Sequence, residues 1–160
     1  MHRILGIDPG SRNTGFGVIE IINHQPHYVA SGVIRLKAEN MAERLKQIFV
    51  DLQTIIKDYQ PHAVAIEQVF MANNPNSALK LGQARGAAIT AVAIHGLPIA
   101  EYAARKIKQV IVGYGQAEKN QMQTMVMHLL KLNKKPQADA ADALAAALCH
   151  FHSKPVSINY

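Results

Sequence analysis

The run Arg3-Ile4-Leu5-Gly6-Ile7 ends on a carboxylate, Asp8, and on a chain reversal at Pro9-Gly10. It reads as a buried strand and a turn, with Gly15 to Ile22 as a second strand returning beside the first. Asp8 is thereby held on rigid backbone at a strand end. Gly6, Gly10, Gly15 and Gly17 keep side-chain bulk away from it, so a phosphate, a metal ion or another backbone can come close. Two readings of Asp8 stand on this segment alone. It shapes an Asp-Pro-Gly turn, or it is a functional acid, and the remaining acids bear on the choice.

Beyond the hairpin, Asn23-His24-Gln25-Pro26 reads as a turn and Tyr28 to Leu36 as a third strand, which makes an antiparallel meander. Asn40-Met41-Ala42-Glu43 has the spacing of a capping box, and the apolar residues Met41, Leu45, Ile48, Phe49, Leu52, Ile55, Ile56 and Tyr59 then recur at three and four. This predicts a helix ended by Pro61. His62 to Glu67 is a short buried strand with Glu67 at its far end, and Val69 to Asn76 is expected to be an exposed loop. Ser77 to His95 follows as a helix rich in Gly and Ala, which suits close packing within the chain or across a dimer. Leu97 to Tyr102 is a fifth strand, Ala104 to Val112 and Glu118 to Leu132 are helical, and Ala138 to Phe151 is the last helix. The order predicts an α/β domain with a mixed sheet over residues 1–152 and a loose tail over 153–160.

Composition narrows the function classes. Lys and Arg number 17 against 11 Asp and Glu, a formal charge of +6, and the pI is about 9.6, a balance that favours polyanionic partners. No apolar run reaches the roughly 18 residues of a membrane span, so no membrane partner is expected. The start lacks the pattern of a signal peptide, and a cytoplasmic location is expected. Cys149, the single cysteine, lies on an alanine-rich stretch and reads as a buried inert thiol. The eight histidines show no zinc-ligand spacing.

The last helix opens with Asp139-Ala140-Ala141-Asp142, and an i, i+3 spacing puts both carboxylates on one face. They compensate the helix dipole, or they share a cation. Ala138, Ala140, Ala141, Ala143, Ala145, Ala146 and Ala147 around them imply that this helix packs closely against something, where two charges need a partner. Clustered carboxylates either take up protons or bind cations, and hard oxygen donors suit Mg²⁺ or Mn²⁺.

One acid ends the first strand, another ends the fourth, and a pair opens the C-terminal helix. The arrangement resembles the ribonuclease H-like nuclease fold, a mixed five-stranded sheet of antiparallel meander plus parallel strands flanked by helices. Gly6-Ile7-Asp8-Pro9-Gly10, Glu67-Gln68-Val69-Phe70, Gly82-Gln83-Ala84-Arg85-Gly86 and Asp139-Ala140-Ala141-Asp142-Ala143-Leu144-Ala145 closely resemble the RuvC family of bacterial Holliday-junction resolvases. The resemblance runs from Arg3 to about His152. It implies a homodimeric endonuclease that nicks a four-way DNA junction symmetrically, leaving 5′-phosphate and 3′-hydroxyl ends. By similarity Asp8, Glu67, Asp139 and Asp142 are the metal-binding acids, with Asp8 bridging two Mg²⁺ ions about 4 Å apart and Mn²⁺ as a substitute. Some relatives carry His at the place of Asp139, which leaves its role open between ligand and proton transfer. Phe70 matches the family aromatic that stacks on a base near the cut, with anchoring of its own loop as the alternative. Lys108 and Lys119 match lysines near the scissile phosphate. Arg105, Lys106 and Lys80 are either further phosphate contacts or solvated surface charges. RuvA and RuvB are expected as branch-migration partners through the resemblance.

Two rivals are weighed against this reading. An actin-like or sugar-kinase-like ATPase fragment also opens with a glycine-rich phosphate hairpin, but the chain is short for two duplicated lobes. A junction-binding module without catalysis would not need all four acids.

Overall fold

A computed structural model of the chain describes residues 2–68 and 74–153. Strands β1 (His2–Asp8), β2 (Asn13–Ile22) and β3 (Gln25–Arg35) form the meander, with Asp8 opposite Gly15 and Asn13 opposite Arg35. The turn between β2 and β3 is shorter than the four residues expected. Asn23 and His24 both take positive φ, 50° and 61°, the two-residue turn whose twist matches the flanking strands. Pro26 therefore lies inside β3, which is tolerated because β3 is an edge strand.

Helix α1 (Met41–Tyr59) is capped by the Asn40 side chain, which accepts from the Glu43 N–H at 3.3 Å. It closes on Gln60 in a left-handed conformation, φ 47°, just before Pro61. Strand β4 (Ala63–Gln68) runs parallel to β1, and β5 (Ile99–Ala103) runs parallel to β4. Between them α2 (Pro75–Ala93) begins two residues earlier than Ser77. The Asn74 side chain accepts from the Ser77 N–H at 2.9 Å, and Pro75 occupies a first-turn position where its missing N–H costs nothing. Helices α3 (Ala104–Val112), α4 (Lys119–Leu129) and α5 (Ala138–Ser153) complete the fold. Of the expected tail, Ser153 closes α5 and residues 154–160 lie outside the described residues.

The sheet order is β3-β2-β1-β4-β5, the mixed sheet of antiparallel meander plus parallel strands that the sequence predicts. Leu5, Ile7, Val18, Val64 and Ile66 face α1 and α2, while Ile4, Ile19 and Ala65 face α3, α4 and α5. Helix α5 lies directly on the sheet, buried from Ala143 to His150. A Cβ on Gly6 would collide with the Ala143 carbonyl, one on Gly15 with the Asp139 carbonyl, and one on Gly17 with Leu144. Small residues on both surfaces thus bring helix backbone against strand backbone. Among the described residues no helix is long and apolar enough to cross a membrane.

Candidate functional site

The close contact of α5 with β1 and β2 creates the site. Parallel pairing of β1 with β4 sets the strand ends that carry Asp8 and Glu67 side by side. Gly15, the cross-strand partner of Asp8, makes room for the first turn of α5 and delivers Asp139 and Asp142 to the same place. One carboxylate oxygen from each of Asp8, Asp139 and Asp142 lies within 4.8 Å of the others. Glu67 stands beside this group, and its charge acts on Asp8. All four acids are half-buried. The turn after Asp8 is fastened by the buried Thr14, whose hydroxyl donates to the Gly10 carbonyl at 3.2 Å and accepts from its N–H at 3.3 Å.

This concentration of negative charge shows in the proton affinities. Asp8 is pushed from its ordinary value of 3.8 to about 8, first by burial and then by Asp142, Glu67 and Asp139. Burial raises Asp142 to about 6 against the pull of Lys119 and Lys108, with Asp139 adding to the rise. Glu67 is also raised, by burial and then by Asp142, while Lys108, Arg85 and Lys119 oppose the shift. A divalent cation bound among clustered, partly desolvated carboxylates relieves their repulsion and displaces their protons to solvent, and an all-oxygen donor set fits a hard ion.

A pH dependence follows. A carboxyl raised above its unfolded value keeps a proton in the folded chain that the unfolded chain has already lost, so stability falls as pH rises through the interval between the two values. Without metal, the protein is expected to lose thermal stability from about pH 4 to pH 8 on account of Asp8. Mg²⁺ should restore it most at the upper end, because binding to the folded state alone stabilises that state. Asp8→Asn should flatten the decline. Melting curves at about pH 5.5 and 8.5, with Mg²⁺ or with EDTA, check both statements.

Lys108 and Lys119 are brought to the acids, where they line a cavity of about 120 Å³ together with Glu67, Met122 and Asp142. The other candidates are placed differently. Arg105 packs its side chain over Gly115, and the charge of Lys106 is felt by the buried Cys149 thiol. Lys80 lines a separate cleft with Arg12, Arg35 and Arg44. Phe70 lies outside the described residues. Cys149 is buried, and burial raises its pKa, in keeping with an inert thiol. The sequence reading gave Arg85 no role, yet its guanidinium donates to the Glu67 carbonyl and pairs with Glu101 at 2.6 Å. The only signal was its place in Gly82-Gln83-Ala84-Arg85-Gly86, one arginine in an otherwise uncharged segment. The hairpin glycines that would cradle a nucleotide phosphate in an ATPase are instead filled by the α5 backbone at Gly6 and Gly15.

Comparison with known proteins agrees with this geometry. A family model described as "Crossover junction endodeoxyribonuclease RuvC" matches residues 4–150. The crossover junction endodeoxyribonuclease RuvC of Shewanella amazonensis is 59% identical over 153 residues, spanning 96% of this chain and 88% of the relative. That of Pseudoalteromonas atlantica is 60% identical over 153 residues, with the same 96% and 88% coverage. The solved structure of Thermus thermophilus RuvC in complex with a Holliday junction substrate matches with a TM-score of 0.88 at 31% identity, covering 96% of this chain and 95% of that one. A match of this extent in both sequence and fold places the chain in the RuvC family of crossover junction endodeoxyribonucleases.

Proposed function

We propose that this chain resolves four-way DNA junctions by paired symmetric nicks, with Asp8, Glu67, Asp139 and Asp142 holding Mg²⁺, for which Mn²⁺ substitutes. The carrying observation is the convergence of three carboxylates within 4.8 Å of one another, beside Glu67 and next to a cavity lined by Lys108 and Lys119. Bound metal supplies activation of the attacking water and stabilisation of the leaving 3′ oxygen. The four acids hold their positions through elements rather than loops. Asp8 and Glu67 end adjacent strands, and Asp139 and Asp142 share one helix face. Lys119 and Lys108 offset the carboxylate repulsion and present positive charge to the phosphate. Phe70 is the proposed base-stacking aromatic. Residues 1–152 form the nuclease domain, the cytoplasm is its compartment, and RuvA and RuvB are its partners on family resemblance.

The test is cleavage of a synthetic four-way junction with Mg²⁺ present or withheld, alongside ATP binding. Metal-dependent nicking to 5′-phosphate and 3′-hydroxyl ends without ATP binding is expected, and no cutting with Mg²⁺ or with Mn²⁺ in its place would overturn the reading.

Lys108→Ala and Lys119→Ala are expected to lower cleavage of bound junction about 10²-fold while changing affinity little, since charge beside a scissile phosphate matters most as negative charge builds in the transition state. Single-turnover rates and equilibrium binding, measured on the same variants, separate the two effects. Equal losses of rate and affinity would make these lysines ordinary phosphate contacts.

The second subunit is proposed to pack on α2. Its inner face buries Ala84, Ala88, Ala91 and Val92 in the core shared with α1. Ala91, one of the small residues that the sequence offers for a dimer contact, is therefore used within the chain. Among the described residues a Cβ on Gly82 or Gly86 meets nothing within 4 Å, and Leu79 and Ile94 are 69% and 64% exposed. This outward face, small in the middle and apolar at its ends, is the proposed surface for a two-fold dimer.

A further inference from the structure

At the edge of the sheet where Asp8 and Glu67 end their strands, the neighbouring strands border a second and larger cleft, of about 450 Å³. Arg12, Asn13, Arg35, Arg44, Ser77 and Lys80 contribute to its wall. The four cations come from four places in the chain: the turn after β1, the end of β3, the first turns of α1 and the start of α2. No acid lines it.

The cleft is held by backbone. The Leu36 N–H donates to the Arg12 carbonyl at 2.9 Å, and Asn13 pairs with Arg35 in the ladder. Arg44 ties two walls together, donating to the Ala38 carbonyl and, at 3.3 Å, to that of Ser11. Arg12, Arg35 and Lys80 are exposed, so their charges are available to an anion. Four like charges around one concavity repel one another and are relieved by a polyanion. Ser and Asn side chains beside them add neutral donors of the kind that position phosphates.

Its place in the fold identifies the ligand. Counting along the sheet order, the cleft borders β3 and β2, Asp8 and Glu67 end β1 and β4 with Asp139 and Asp142 brought to them by α5, and Lys108 lies on α3, the helix that follows β5, with Lys119 beside it. Cations therefore flank the acids on both sides of one edge. Strands are spaced about 4.8 Å apart, so β2 and β3 stand about 5 and 10 Å from β1 along the sheet, a span that a strand of nucleic acid covers in a few steps of about 3.4 Å. We infer that the cleft of Arg12, Arg35, Arg44 and Lys80 binds the phosphodiester backbone of the junction a few nucleotides from the cut, and so sets the scissile phosphate over the carboxylates. The inference rests on the reading of the chain as a junction nuclease.

The test compares wild type with Arg12→Gln, Arg35→Gln and the triple change Arg12→Gln, Arg35→Gln, Lys80→Gln, each titrated with a synthetic four-way junction in Ca²⁺ across a range of salt. Each cation removed is expected to lower the slope of log affinity against log salt by about 0.9 and to weaken binding about tenfold at 0.1 M salt. Lys57→Gln, in the last turn of α1 at the opposite end of that helix, controls for net charge and should leave the slope unchanged. Neutral methylphosphonate linkages two to four nucleotides from the cut should weaken wild-type binding and add nothing to the triple change. A folded triple variant with the wild-type slope, or a linkage effect equal in both proteins, overturns the inference while the nuclease reading stands. Wild-type protein that neither binds junctions nor cuts them in Mg²⁺ overturns both.

Discussion

Asp8→Asn, Glu67→Gln and Asp142→Asn are each expected to abolish junction cutting, lowering the rate by more than about 10³-fold, the upper end of what loss of one preorganised electrostatic group already causes. Junction binding in low salt, with Ca²⁺ or no metal, should survive. Each acid is a hard oxygen donor that a divalent ion needs, whereas affinity comes from lysines and arginines on phosphates. Removing a carboxylate also removes repulsion toward DNA, so binding is expected to stay equal or tighten. The largest loss should fall at Asp8, which feels Asp142, Glu67 and Asp139 together. Nicking in Mg²⁺ and fluorescence anisotropy in Ca²⁺, on the same preparations, check the pair of statements. A variant that cuts at the wild-type rate takes its residue out of the site.

The acids were legible in the sequence because their positions follow from local rules. A carboxylate between an apolar run and Pro-Gly must end a strand, and two acids three apart on an alanine-rich helix must share a face. What joined them was harder to see. The glycines of the hairpin were open to a phosphate, a metal or another backbone, and only the fold shows that α5 fills Gly6 and Gly15. Arg85 escaped notice for a related reason. Its partner is a backbone carbonyl, that of Glu67, and no side-chain pattern announces a backbone acceptor.

Element boundaries went astray where one residue type serves two structures. Pro75 reads as a loop residue and opens α2; Pro26 reads as a turn residue and lies in an edge strand. In both cases the missing N–H faces a position that needs no donor. The cationic cleft has another cause. Arg12, Arg35, Arg44 and Lys80 are spread over 69 positions of the chain, and their meeting depends on the register of β2 against β3 and on the seating of α2 beside α1. Charge counting predicts a polyanionic partner without saying where the charges converge.

Mixed dimers carrying one intact subunit and one Asp8→Asn subunit are expected to nick a single strand of the junction and leave it unresolved. Resolution into two duplexes needs two symmetric cuts, and the described residues of each chain carry one constellation of acids, so the proposed two-fold dimer is what would supply the second. The α2 surface gives this expectation an independent handle. From the sequence alone the small residues of α2 serve either the chain's own core or a partner, and a bulky Gly86→Leu could disturb either. The open space around a Cβ at Gly86 resolves the ambiguity in favour of a selective probe. Among the described residues a Cβ there meets nothing within 4 Å, and a leucine replaces a helix-destabilising glycine on an exposed position, so the melting temperature of the monomer unit should hold or rise slightly. Against a second α2 the same side chain would force the helices apart. Gly86→Leu is therefore expected to yield folded monomers by light scattering, with paired cutting lost. Efficient paired cutting by isolated mixed dimers, or full resolution by a Gly86→Leu protein that is monomeric during turnover, would refute the two-site arrangement.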